Sequence, residues 1–128
     1  MKNEGFTLRK RLESFKYAFS GIKTLLLFEA NAWIHCIATV LVVAAGFLFD
    51  LSSMEWIAII IVIGGVFAAE GLNTAIEKLA DVVSPGYNET IKHVKDLSAG
   101  AVLFMAIAAA IVGLIIFVPK LLLTLAGL

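Results

Sequence analysis

The apolar run over residues 56–69 carries no charged side chain and ends on Glu70-Gly71-Leu72-Asn73-Thr74-Ala75-Ile76-Glu77. At 100° per residue, Glu70, Asn73, Glu77 and Asp81 fall within about 80° of one another on one helical face. A helix that carries carboxylates out of a bilayer on one face is costly unless they bind something. Ionisable groups at membrane depth are functional candidates by default. Two carboxylates one helical repeat apart can divide the work between proton abstraction and a hard cation.

A membrane is implied because 61% of the 128 residues are hydrophobic and the mean hydropathy is +0.99. Soluble domains run at roughly 45–50% apolar. A span needs about 20 apolar residues. The run 32–49 is slightly short and is interrupted only by His35 and Thr39. The run 97–118 is ample and is closed by Pro119-Lys120. The run 56–69 is too short unless its helix continues past Glu70 with the polar face turned to protein. Membrane helices are expected over 32–49, 54–83 and 97–118. The N-terminus is charged and amphipathic, so no cleavable signal is expected.

Basic residues set the orientation. Lys2, Arg9, Lys10, Arg11, Lys16 and Lys23 precede the first span, and Lys78, Lys92 and Lys95 follow the second. The link 50–55 has acids and no base, and the tail carries only Lys120. The N-terminus and the second link are therefore expected in the cytoplasm. Glu29, Glu70, Glu77, Lys95 and Asp96 then all lie near the cytoplasmic interface, the side that holds ATP and magnesium.

Residues 6–28 read as an interfacial helix. Leu8, Leu12, Phe15, Phe19, Ile22 and Leu26 recur at alternating spacings of four and three, and Arg9, Lys16 and Lys23 flank that stripe towards anionic headgroups. No repeat or linker suggests a second domain, so 1–128 reads as one all-α membrane domain. Trp33 and Trp56 stand at span entrances, where an aromatic belt forms. A chain this small has little interior, and a second copy is the simplest cover for its polar face. Gly64, Gly65, Ala68 and Ala69 permit close helix approach.

Familiar nucleotide motifs are missing. Gly21-Ile22-Lys23-Thr24 lacks the upstream glycine and the strand of a P-loop. His35 and Cys36 are helical neighbours and do not face the same way. His35 reads as a polar interfacial residue, and Cys36 as a small packing residue. No nucleic-acid partner is expected. What remains is a cluster of Glu29, Glu70, Asn73, Glu77, Lys95 and Asp96. Lys95 and Asp96 just precede the third apolar run, where a helix N-terminus would favour anions, and a lysine binds phosphate as a point charge.

The Glu70–Glu77 element continues into Lys78, then Asp81, then Val94-Lys95-Asp96-Leu97-Ser98-Ala99-Gly100-Ala101-Val102-Leu103. Together these resemble the signature of the prokaryotic diacylglycerol kinase family, which includes the undecaprenol kinases. Phe15-Lys16-Tyr17-Ala18-Phe19-Ser20-Gly21-Ile22 and Glu29-Ala30-Asn31 resemble its N-terminal region. The resemblance implies a homotrimeric bacterial inner-membrane kinase, each chain with a surface helix and three spans, that moves the γ-phosphate of ATP to a lipid hydroxyl with Mg2+. It implies Glu70 as general base and Glu29 and Glu77 as metal-binding carboxylates. It further implies Lys10, Tyr17, Glu29, Glu77, Lys95 and Asp96 at the nucleotide, with Asn73 and Lys10 supporting the substrate. The chain departs from the family pattern at Gly86-Tyr87-Asn88 and at Ala30 and Trp33.

The rival reading is a non-enzymic subunit of a small oligomeric transporter or channel, in which intramembrane carboxylates are common. Against it, the polar cluster lies at one side of the membrane, and the runs 32–49 and 97–118 offer no matching polar face. Within the kinases, diacylglycerol and undecaprenol both remain open as acceptors. Thr74, Lys78, Ser98-Ala99-Gly100-Ala101 and Trp33-Ile34-His35 lean towards undecaprenol. The orientation has a direct check. In a Cys36→Ala background, a cysteine placed at Ser52 should react with an impermeant thiol reagent only from the outer face. Reaction from the cytoplasmic face alone would reverse the topology.

Overall fold

The computed structural model describes residues 5–128, so Lys2 of the basic N-terminal set lies outside the described residues. Four helices follow in order: α1 (Leu8–Phe28), α2 (Ala30–Leu48), α3 (Ser53–Val83) and α4 (Glu89–Leu125). The last three are long and apolar enough to cross a membrane. At 1.5 Å per residue, α3 is about 46 Å long and α4 about 55 Å. A hydrocarbon core is about 30 Å thick. The apolar run 56–69 therefore does not have to span alone, because α3 continues unbroken through Glu70 to Val83.

Local chemistry sets each helix end. α1 gives way to α2 through the single residue Glu29, whose backbone is extended. After α2, the Asp50 N–H bonds the Phe47 carbonyl at 3.4 Å and the Leu51 N–H bonds the Gly46 carbonyl at 3.1 Å. This is a Schellman closure, with Asp50 taking the left-handed conformation at φ 52°. Ser52 and Glu55 then form a capping box that starts α3. Pro85 follows the last turn of α3, and the Asn88 side chain accepts the Ile91 N–H at 3.1 Å to start α4.

Two sequence expectations change here. The helix that carries the third apolar run begins at Glu89, so Lys95 and Asp96 sit inside it rather than at its N-terminus. The positive helix end belongs to the Asn88 cap and cannot serve them. Nor does Pro119 close the helix, which continues to Leu125. Proline removes one hydrogen bond, but long membrane helices tolerate that loss where neighbours hold the backbone. Here Lys120 Nζ lies 3.1 Å from a Glu55 carboxylate oxygen of α3 and ties the segment down.

α3 packs chiefly on α4, and only lightly on α2 and α1. The α3–α4 pair is antiparallel. Asp81 meets Lys95, Asn73 meets Ser98 and Glu55 meets Lys120. Gly65 lets the helices approach, because a Cβ there would run into the terminal methyl of Met105. That glycine therefore serves contact within the chain. Gly46 does the same for Trp56, whose ring would lie 2.5 Å from an added Cβ. Trp56 is thus a packing residue between α2 and α3, tilted against Phe47 at 5.0 Å, whereas Trp33 is exposed. The buried apolar cluster of Leu51, Ile59 and Ile116 gathers Val42, Trp56 and Phe117 at the Glu55–Lys120 end. The polar residues lie towards the opposite end. α1 has no buried residue, and its stripe of Leu8, Leu12, Phe15, Phe19 and Ile22 is exposed, as an interfacial helix requires.

Candidate active site

Three of the four buried polar residues among the described ones lie on α3. Glu70 is 2% exposed, and Asn73 and Thr74 are also buried. Much of the cover expected from a second copy comes from within the chain. Asn73 Oδ1 accepts the Ser98 hydroxyl from α4 at 2.7 Å. His35 of α2 places Nε2 at 3.6 Å from Glu70 Oε2. The two residues turn towards different neighbours, because a step of three places them about 60° apart around the helix. Thr74 Oγ1 is buried without a hydrogen-bond partner among the described residues.

Further along α3, Glu77 is half-buried and Asp81 is exposed. Asp81 Oδ1 lies 2.5 Å from Lys95 Nζ across the pair. Lys95 therefore faces α3 with a carboxylate already beside it. Asp96, one residue on, points elsewhere and pairs with Lys92 at 2.5 Å. Asp96 borders a shallow open depression with His93, Leu97, Gly100, Ala101 and Phe104. The structure does not bring Asp96 to the Glu70 face of the same chain.

Glu29 occupies the corner between the surface helix and the first span. Its carboxylate does not cap α2, and it is half-buried. The end of α1 reaches α3 nearby. A Cβ on Gly71 would lie 3.8 Å from Leu25 Cδ2, one helical turn before Glu29. Among the described residues, neither Glu29 nor Glu77 forms an ion pair. No group of three metal-ligating side chains occurs among them either. Tyr17 and Lys10 lie on the exposed length of α1.

Below Glu70, a cavity of about 210 Å³ runs between α2, α3 and α4. His35 and Thr39 are its polar lining, and the remainder is apolar, from Val66 and Phe67 to Val42, Ile59, Ala109 and Gly113. Sequence reasoning missed His35 as a neighbour of Glu70. Nothing in its own helix marks it, and only the packing of α2 on α3 reveals it. Ser98 was visible in the motif but not as a partner for Asn73.

Three helices able to cross a membrane, with a buried carboxylate and amide on the central one, define a multi-pass helical membrane protein with a candidate functional site. Residues 16–117 match the profile of prokaryotic diacylglycerol kinase, and the chain belongs to that family. It is 41% identical over 114 residues to the undecaprenol kinase of Bacillus subtilis (strain 168), a match covering 89% of this chain and 93% of that relative. It is 38% identical over 112 residues to the diacylglycerol kinase of Synechocystis sp. (strain ATCC 27184 / PCC 6803 / Kazusa). That match covers 87% of this chain and 64% of the relative, so the chain spans under two thirds of that protein's length. The protein is a multi-pass membrane lipid kinase, and a kinase takes its phosphoryl group from a nucleotide.

Proposed function

We propose that the chain phosphorylates the hydroxyl of a membrane lipid with MgATP at the cytoplasmic face of a bacterial inner membrane, and that its acceptor is undecaprenol. The observation that carries the reaction is the buried Glu70, a carboxylate at membrane depth beside an apolar cavity. Support for undecaprenol comes from the 41% identical relative, which is named for that substrate. Diacylglycerol is the second reading, favoured by the name of the 38% identical relative.

Phosphoryl transfer asks a protein for positioning and charge neutralisation more than for covalent help. Glu70 accepts the proton of the lipid hydroxyl. The lipid oxygen bonds the γ-phosphorus while the bond from that phosphorus to the β–γ bridging oxygen breaks, and ADP leaves. Lys95 meets the charge on the transferring group once it exchanges its contact with Asp81 for phosphate. Asn73, held by Ser98, supports the acceptor side together with Lys10, and Tyr17 and Asp96 contact the nucleotide.

Glu29 and Glu77 offer hard carboxylate oxygens that no described basic side chain occupies. That suits Mg2+, which commonly uses one or two carboxylates and completes its shell with water and substrate phosphates. When bound it neutralises charge on the phosphate oxygens. The chains assemble as a homotrimer. Support comes from the exposure of Asp96 away from Glu70, which a neighbouring chain would reach.

The two carboxylate roles separate kinetically. Glu70→Gln should lower kcat by roughly 10²–10⁴-fold, the usual worth of a general base. Glu77→Gln should chiefly raise the Mg2+ concentration needed for half-maximal rate, because a metal ligand acts in ground and transition states alike. Near-normal turnover of an assembled Glu70→Gln protein would remove Glu70 as the base. Shared sites are tested by mixing chains. Inactive Glu29→Gln and Glu70→Gln chains, exchanged into one oligomer, should recover part of the activity. No recovery under proven subunit exchange would place both residues in one chain's site.

A further inference from the structure

Glu70 is nearly inaccessible, and among the described residues the one basic group within ion-pair distance of it is an imidazole from a different helix. The separation of 3.6 Å between His35 Nε2 and Glu70 Oε2 is beyond hydrogen-bond range. Catalytic hydrogen bonds are often long before substrate arrives and tighten in the reacting complex. The imidazole does not hang free. The edge of Phe67, one turn before Glu70 on α3, stands against it at 6.1 Å between centroids and 74° between planes. The Thr39 hydroxyl bonds the His35 carbonyl at 2.7 Å and steadies the α2 turn that carries it. His35 also lines the apolar cavity between α2, α3 and α4, so one side chain borders both the carboxylate and that cavity.

We propose that His35 is a positioning residue for the phosphoryl acceptor. It donates Nε2–H to Glu70 Oε2 and so holds the carboxylate in one rotamer. The other oxygen, Oε1, is then left to accept the proton of the lipid hydroxyl. A carboxylate whose two oxygens are equivalent and free to rotate would present the proton acceptor in many directions, and misplacement by about 1 Å costs up to about 10²-fold in rate. The proposal rests on the reading of Glu70 as the base, and it adds the residue that aims it.

The variants are His35→Leu, which keeps an apolar filler and removes the donor, and His35→Gln, which keeps an N–H donor at similar reach. Both are made in the full-length protein and assayed in mixed micelles with MgATP and undecaprenol, after assembly is checked by size-exclusion chromatography. His35→Leu should lower kcat by roughly 10–100-fold and leave the KM for ATP unchanged. His35→Gln should regain most of that turnover. In a Glu70→Gln background, His35→Leu should add less than about twofold, because residues that act as a unit are non-additive. Normal turnover of an assembled His35→Leu protein would overturn the proposal while leaving Glu70 as base. A full additional loss in the Glu70→Gln background would also overturn it, since His35 would then act elsewhere. If Glu70→Gln alone kept its turnover, the base assignment would fall, and the positioning role with it.

Discussion

Everything in this chain is arranged around the cost of holding a carboxylate where water cannot reach it. Uncompensated burial of an ion costs several kcal/mol even after relaxation, and at membrane depth no solvent offsets it. Glu70 is buried at 2% exposure in the middle of the helix that contacts all the others. α2 brings an imidazole to within 3.6 Å of it, and α4 brings a hydroxyl to Asn73 beside it. The length of α3 follows from the same need, because the helix has to pass through the bilayer and still present a polar turn to both neighbours.

The molecule divides its labour between its two ends. At the Glu55–Lys120 end, Leu51, Ile59 and Ile116 pack with Trp56 seated on Gly46, and an ion pair and a capping box fix where α3 begins. At the other end the packing is polar. Asp81 with Lys95 and Asn73 with Ser98 hold the same antiparallel register that the apolar end establishes. A lipid kinase needs this asymmetry, since its nucleotide arrives from water and its acceptor from the bilayer. The cavity between α2, α3 and α4 lies between the two ends, with His35 at its polar limit.

Much of this was legible in the residues. The all-α fold, the surface helix, the three spans and the family were all carried by hydropathy and by the Glu70–Glu77 and Lys95-Asp96 elements. The buried face was legible too, because Glu70 and Asn73 follow an uncharged run. The helix ends were less so. Hydropathy marks where a helix meets lipid, not where its hydrogen bonds begin, so α4 started at Asn88–Glu89 rather than near Leu97 and ran on past Pro119. Partners across helices were not legible at all. His35 looks like any polar residue in an apolar run until α2 is docked on α3, and Lys95 gives no sign in sequence that Asp81 lies beside it.

If the buried carboxylate serves phosphoryl transfer from ATP to a lipid alcohol, labelled γ-phosphate can be followed from ATP in mixed micelles of the purified protein with either undecaprenol or diacylglycerol, with and without Mg2+. Label should enter the extracted lipid, dependent on Mg2+ and faster with undecaprenol. Label recovered only as inorganic phosphate, or in neither lipid with an assembled protein, would contradict that role.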